Sequence, residues 1–206
     1  MGKHAQSIDK SILSRVYGHG KGWVFTPRHF SDLGSRAAVE SALRRHKQAG
    51  TIRLLARGLY DYPRLHPQLG ALSPSDDAVA SALAGRDAIR FQPSGAYAAN
   101  LLGLSTQVPA KVVFLTDGSS RTVRIGARQI ALKRTTPRQM ATAGRISGTV
   151  IQALRWMGTR NVDNEILVAL KRRLSDGDKR QLAKDVRFAP GWIADILRKI
   201  IRADTV

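Results

Sequence analysis

The chain contains no cysteine, which excludes disulfides and thiolate-ligated metals. It has no histidine beyond residue 66 and no acidic residue between Asp117 and Asp163. Those two gaps remove the usual materials for metal sites and acid–base pairs from most of the chain. Its apolar runs are only a few residues long, too short for a bilayer span. The opening MGKHAQSIDK lacks the apolar core of a secretory signal, so the expected location is the cytoplasm.

Acids are scarce as well: 15 against 34 Lys and Arg, a net charge of +19 in 206 residues. Such an excess repels itself and points to a polyanionic partner. A membrane surface would favour a basic amphipathic helix or a tight lysine cluster. Here the charges are mostly arginines dispersed along the chain, which favours nucleic acid and no membrane. A hydrophobic fraction of 43% is enough to fill a core.

The stretch YPRLHPQLGALSPS (62–75), with three prolines, reads as a linker. The expected domains are 1–66 and 67–206, the first with twelve Lys/Arg against four acids. The first domain reads as three helices and a ribbon. Ser7 caps a helix with an apolar stripe at Ile8, Ile12, Leu13 and Val16. GHGKG stops it, and WVF (23–25) is extended. Thr26 caps a second helix, with Pro27 at its first position, that runs to Leu33-Gly34. Ser35 caps a third that Gly50 ends, and strands 51–55 and 59–62 close a ribbon on which Tyr60 and Tyr62 pack inward.

At 100° per residue, the third helix puts Ala38, Val39, Ala42, Leu43, His46 and Ala49 on one face. Ala37, Glu40, Ser41, Arg44 and Gln48 centre the other, flanked by Arg36, Arg45 and Lys47. Arginine and amide groups suit base edges, and Ala37 allows close approach to a groove. Alone, this face reads first as a solvated one, as charge runs usually do. With a ribbon carrying Arg57 at its tip, the pattern reads as a winged helix-turn-helix whose wing grips phosphate or enters a minor groove.

The second domain reads as mixed α+β with a helical C-terminal half. Helices are expected at 73–86, 94–104, 145–157, 163–174, 176–187 and 190–202, and strands at 88–92, 111–116, 121–126 and 128–135. The hairpin bears Arg121, Arg124, Arg128, Lys133 and Arg134. It is either an auxiliary DNA-binding surface or a sheet edge protected by charge.

Motifs that would signal catalysis fail on context. GHGKG follows a helix rather than a strand, and Lys21 precedes Gly22 rather than Ser or Thr, so it is no phosphate loop. SDGD (175–178) starts a helix and lacks the later calcium-loop acid. GSS (118–120) has no carboxylate pair on a following strand to hold the Mg²⁺ of a nucleotidyltransferase. No catalytic residue, cofactor or metal is expected. His46, on the apolar face near a helix C-terminus, reads as a packed residue favoured by the dipole.

GWVFTPRHFSDLGSRAAVESALRRHKQAGTIRLLARGLYDYP (22–63) and QPSGAYAANLLGLSTQVPAKVVFLTDG (92–118) resemble the AbiEi-like antitoxins of type IV toxin–antitoxin (abortive infection) systems. The resemblance implies a bacterial repressor that binds inverted repeats in double-stranded promoter DNA. It also implies a C-terminal domain that neutralises a nucleotidyltransferase toxin without a stable complex. The family's DNA-reading elements fall on Ser35–Lys47 and Arg53–Arg57. The candidate DNA-binding set is therefore Arg28, Ser35, Arg36, Ala37, Glu40, Ser41, Arg44, Arg45, Lys47, Gln48, Arg53 and Arg57. The alternatives are a nucleic-acid-processing enzyme with a winged-helix targeting module, and a toxin inhibitor acting by direct contact.

Overall fold

The computed structural model describes residues 7–85 and 89–202. Arg86 and Ala88, at the ends of an expected helix and strand, lie outside them. The fold is mixed α+β. It divides into two compact units, Met1–Ile89 with Val123–Gly126, and Arg90–Thr122 with Ala127–Val206.

In the first unit α1 (Ile8–His19) begins where the Ser7 hydroxyl accepts from the Lys10 amide and ends at Gly20, whose φ is +83°. Strand β1 (Val24–Phe25) follows. The expected second helix is only a 3-10 turn, Pro27–Phe30. The Thr26 amide donates to His29 Nδ1 (3.1 Å), and Arg15 takes the His29 carbonyl and both Asp32 oxygens. The residues after it, Ser31, Asp32 and Gly34, are poor propagators of a helix. Helix α2 (Arg36–Gln48) starts as the Ser35 hydroxyl accepts from the Ala38 amide, 3.3 Å.

Strands β2 (Arg53–Ala56) and β3 (Leu59–Asp61) form a ribbon around Arg57-Gly58, with Gly58 at φ +72°. A left-handed second turn position favours glycine. The sheet order is β1-β3-β2, all antiparallel, with a bulge between Leu54 and Ala56. The core gathers Ile12, Val16, Phe25, Phe30, Val39, Ala42, Leu43 and Ile52, with Tyr60 and Tyr62 against it. Tyr60 stacks on Phe25 at 6.1 Å between ring centres.

The first unit extends past the boundary expected at residue 66. The proline-rich stretch holds a small ribbon, β4 (Leu65–His66) and β5 (Gly70–Ala71). Helix α3 (Asp76–Ala84), capped by Ser75, then lies against β1 with Val79 and Ala80 fully buried. Prolines marked a change of direction there, not a separation of cores.

The second unit carries β6 (Phe91–Ser94), α4 (Gly95–Leu101), β7 (Lys111–Thr116) and β9 (Arg128–Arg134), with the start of β8 (Arg121–Ile125), whose residues from Val123 on are counted with the first unit. The strand order is β6-β7-β9-β8; β7 is antiparallel to β6 and parallel to β9. The short α5 (Pro137–Met140) leads to α6 (Ile146–Met157), then α7 (Asn164–Arg173), α8 (Asp176–Asp185) and α9 (Gly191–Ile201). Helix α6 forms the centre, with Val150, Ala153 and Leu154 buried against Leu170, Leu182, Ile193 and Leu197. Each such Leu or Ile contributes about 1.5–3 kcal/mol by leaving water. Asp185 is buried at the start of α6, accepting from Arg145 (2.5 Å), Ser147 (2.5 Å) and Gln181 (2.9 Å).

Candidate nucleic-acid interface

The outer face of α2 is exposed at Arg36, Ala37, Ser41, Arg44, Arg45, Lys47 and Gln48 and half-buried at Glu40. The opposite face seats Val39, Ala42, Leu43 and His46 in the core. Ala49, expected on that inner face, is exposed because the helix ends there. His46 is packed as expected, its Nε2 lying 3.5 Å from Asp9 Oδ1.

Between α2 and the β2–β3 ribbon runs an open groove of about 390 Å³. Arg36, Glu40, Arg44 and Lys47 line it from the helix; Leu54, Arg57, Gly58 and Tyr60 line it from the ribbon, and Pro27 contributes from the 3-10 turn. A second recess of about 420 Å³ adjoins it and brings in Arg28, Ser31 and Val39. Four cations thus converge on one groove with a single acid, Glu40, among its described lining residues. Its carboxylate accepts from Arg36 Nε at 2.7 Å, one turn away, and this raises the Arg36 pKa. Burial raises the Tyr60 pKa, and the Glu40 charge raises it further against the pull of Arg44.

Not every expected residue faces this groove. Arg45 turns toward α1, where its guanidinium forks onto Asp9 at 3.1 and 2.7 Å. That bond is the main cause holding the Asp9 carboxyl below its ordinary value. Arg53 is held inside the unit, donating to both oxygens of buried Asp61 (3.0 and 2.6 Å) and to the carbonyls of Ala71 and Leu72. Ser35 serves as the helix cap. Arg28, Arg44, Lys47 and Arg57 are exposed and form no ion pair among the described residues. Pro27, Leu54 and Tyr60 are groove-lining residues that charge and periodicity do not single out. The exposure of Leu54 (39%) on a strand between half-buried neighbours has its sequence signal only in the alternation of the ribbon.

The basic β8–β9 hairpin is not one surface. Alternation along a strand sends Arg121 and Arg124 to opposite faces, and Lys133 and Arg134 likewise. Arg124, Lys133 and Arg134 are exposed, while Arg121 and Arg128 are half-buried.

A family model, described as a family of unknown function (DUF6088), matches residues 11–182. The chain belongs to DUF6088. No curated protein and no solved structure matches it. The DUF6088 span opens inside α1 and closes inside α8, so it contains the whole α2–ribbon groove and leaves out Asp9. Among the described residues no cluster of three or more His, Asp or Glu could hold a metal, and no helix is long and apolar enough to cross a membrane.

Proposed function

We propose that this DUF6088 protein is a sequence-specific DNA-binding repressor in which the first unit acts as a winged helix. One observation carries the proposal: Arg36, Arg44, Lys47 and Arg57 converge on a groove between an exposed helix face and a ribbon tip. The element order, helix–strand–turn–helix–ribbon on a three-stranded sheet, supports it. In this reading α2 enters the major groove, Arg44 and Glu40 address base edges, and Arg57 lies along the adjacent backbone or minor groove. The likeness of 22–63 and 92–118 to AbiEi-like antitoxins extends the proposal. The operator is then the protein's own promoter, and the second unit neutralises a nucleotidyltransferase toxin encoded beside it.

The test is a salt titration of the full chain on its promoter fragment. About 6 phosphate contacts give a slope near −5 in log K against log[salt]. Arg57→Ala lowers affinity and reduces the slope by about 1, whereas Arg44→Ala costs roughly 1–3 kcal/mol at one operator position and relaxes its base preference. A slope near zero, or two variants that bind like wild type, refutes the proposal.

A further inference from the structure

The groove beside α2 is not uniformly charged. Its ribbon wall carries Leu54 and Tyr60. The two are direct partners across β2 and β3, so their side chains stand side by side on one face of the ribbon. Leu54 is 39% exposed there, while the remaining residues of β2 are half-buried. The Tyr60 ring is stacked on Phe25 behind it, and Pro27 lines the groove from the 3-10 turn. An apolar wall thus faces a helix side that carries Arg36, Arg44 and Lys47. A polyanion gains from such a wall only where it presents apolar surface of its own.

The geometry of α2 decides which part of a duplex reaches the wall. At 100° per residue, Arg36 and Lys47 turn furthest toward the ribbon and Glu40 and Arg44 come next; all four line the groove. Ala37, Ser41 and Gln48 lie further round, exposed and not among the described lining residues. With α2 in the major groove, that second arc meets base edges, and the wall beside the helix meets the strand that borders the groove. A backbone alternates phosphate with sugar. The phosphates suit the cations, and the deoxyribose, whose C2′ carries only hydrogen, suits Leu54 and the Tyr60 ring.

We infer that Leu54, seated beside Tyr60 in the α2 groove, selects deoxyribose over ribose, so that the nucleic acid this site takes is DNA and not RNA. The 2′-hydroxyl is the group that separates the two polymers at a given position. Set against Leu54, it loses water to a side chain that can neither donate nor accept a hydrogen bond. A polar group buried without a partner weakens binding by about fivefold or more. The inference rests on the DNA-binding proposal and adds to it the class of nucleic acid and the residue that chooses it.

The test uses the full chain and its promoter fragment, with a single ribonucleotide placed in turn at each position of either strand. At one or two adjacent positions the substitution weakens binding by about fivefold or more, and elsewhere by less than about twofold. Leu54→Ser, at an exposed site, supplies a hydroxyl partner and brings the penalty below about twofold. Its salt slope on the all-DNA fragment stays that of wild type, because Leu54 holds no phosphate. The inference is overturned if every ribonucleotide is tolerated within about twofold, or if Leu54→Ser keeps the full penalty. It is also overturned if Leu54→Ser instead erases a loss caused by deoxyuridine in place of thymidine, which assigns the side chain to a base methyl group. A promoter fragment that wild type does not bind refutes the DNA-binding proposal and this inference with it, whereas binding with even tolerance of ribonucleotides refutes the inference alone.

Discussion

Arg53→Ala separates a structural arginine from a DNA-reading one. In the folded unit its guanidinium makes four bonds, two to Asp61 and one each to the Ala71 and Leu72 carbonyls. The Asp61 side chain is 1% exposed and that of Arg53 32%. Removing one partner of a buried pair costs about 3–5 kcal/mol, because the other charge stays in place unsolvated. Water can reach Asp61 along the space Arg53 vacates, which puts the loss near the low end, about 3 kcal/mol. For a unit of this size each kcal/mol moves the midpoint by roughly 4–8 °C, so the melting temperature of the first unit falls by roughly 12–24 °C. Trp23 reports on this unit once Trp156 and Trp192 are replaced by Phe. Arg53→Lys restores only part of the loss, since an ammonium cannot fork onto a carboxylate. The reasoning is refuted if Arg53→Ala melts within about 4 °C of wild type yet lowers the salt slope of promoter binding by about 1, the mark of a lost phosphate contact.

Glu40→Gln removes the one acid among the described residues that line the α2 groove. Binding to unrelated duplex tightens, while discrimination at one operator position drops by roughly 1–3 kcal/mol, as read by competition with single-base variants. Gly148→Ala would set its Cβ within 2.6 Å of the Thr142 carbonyl oxygen, and closer still to Gln92 Oε1. Overpacking of this kind costs about 1–3 kcal/mol, visible as a lower urea midpoint for the second unit with promoter affinity retained. The Asp9–Arg45 pair makes a pH prediction. A depressed carboxyl pKa contributes stability that is complete above the ordinary aspartate value, 3.8, and lost as pH falls through the lower folded value. Arg45→Ala thus differs from wild type in first-unit stability at neutral pH, and the difference vanishes below that window in an acid titration.

What could be seen in the sequence was local. Ser35 and Gly50 bracket α2, and the 3.6 period of Val39, Ala42, Leu43 and His46 sorts its faces, because caps and periodicity act over a few residues. The fates of Arg45 and Arg53 could not be seen. Both lie where DNA-reading arginines are expected, and each is claimed by an acid set by tertiary structure, Asp9 36 residues away and Asp61 across the ribbon. Charge is written in the sequence, whereas its neutralisation depends on packing. The 3-10 turn at Pro27–Phe30 kept the right start and lost its length, since Arg15 takes the His29 carbonyl within it and the Asp32 carboxylate after it.

The strand order β6-β7-β9-β8 also constrains how the chain reaches this fold. Strands β8 and β9 follow each other with only Gly126-Ala127 between them, and such hairpins close within microseconds. The parallel docking of β9 on β7 is non-local and slower. Until it happens, Lys111–Thr116 presents one edge covered by β6 and the other open. That open edge, with Val113 and Leu115 along it, is available to the same strand of another copy. The folding yield of the second unit should therefore fall as chain concentration rises during refolding, through association of chains that wait for their own ninth strand.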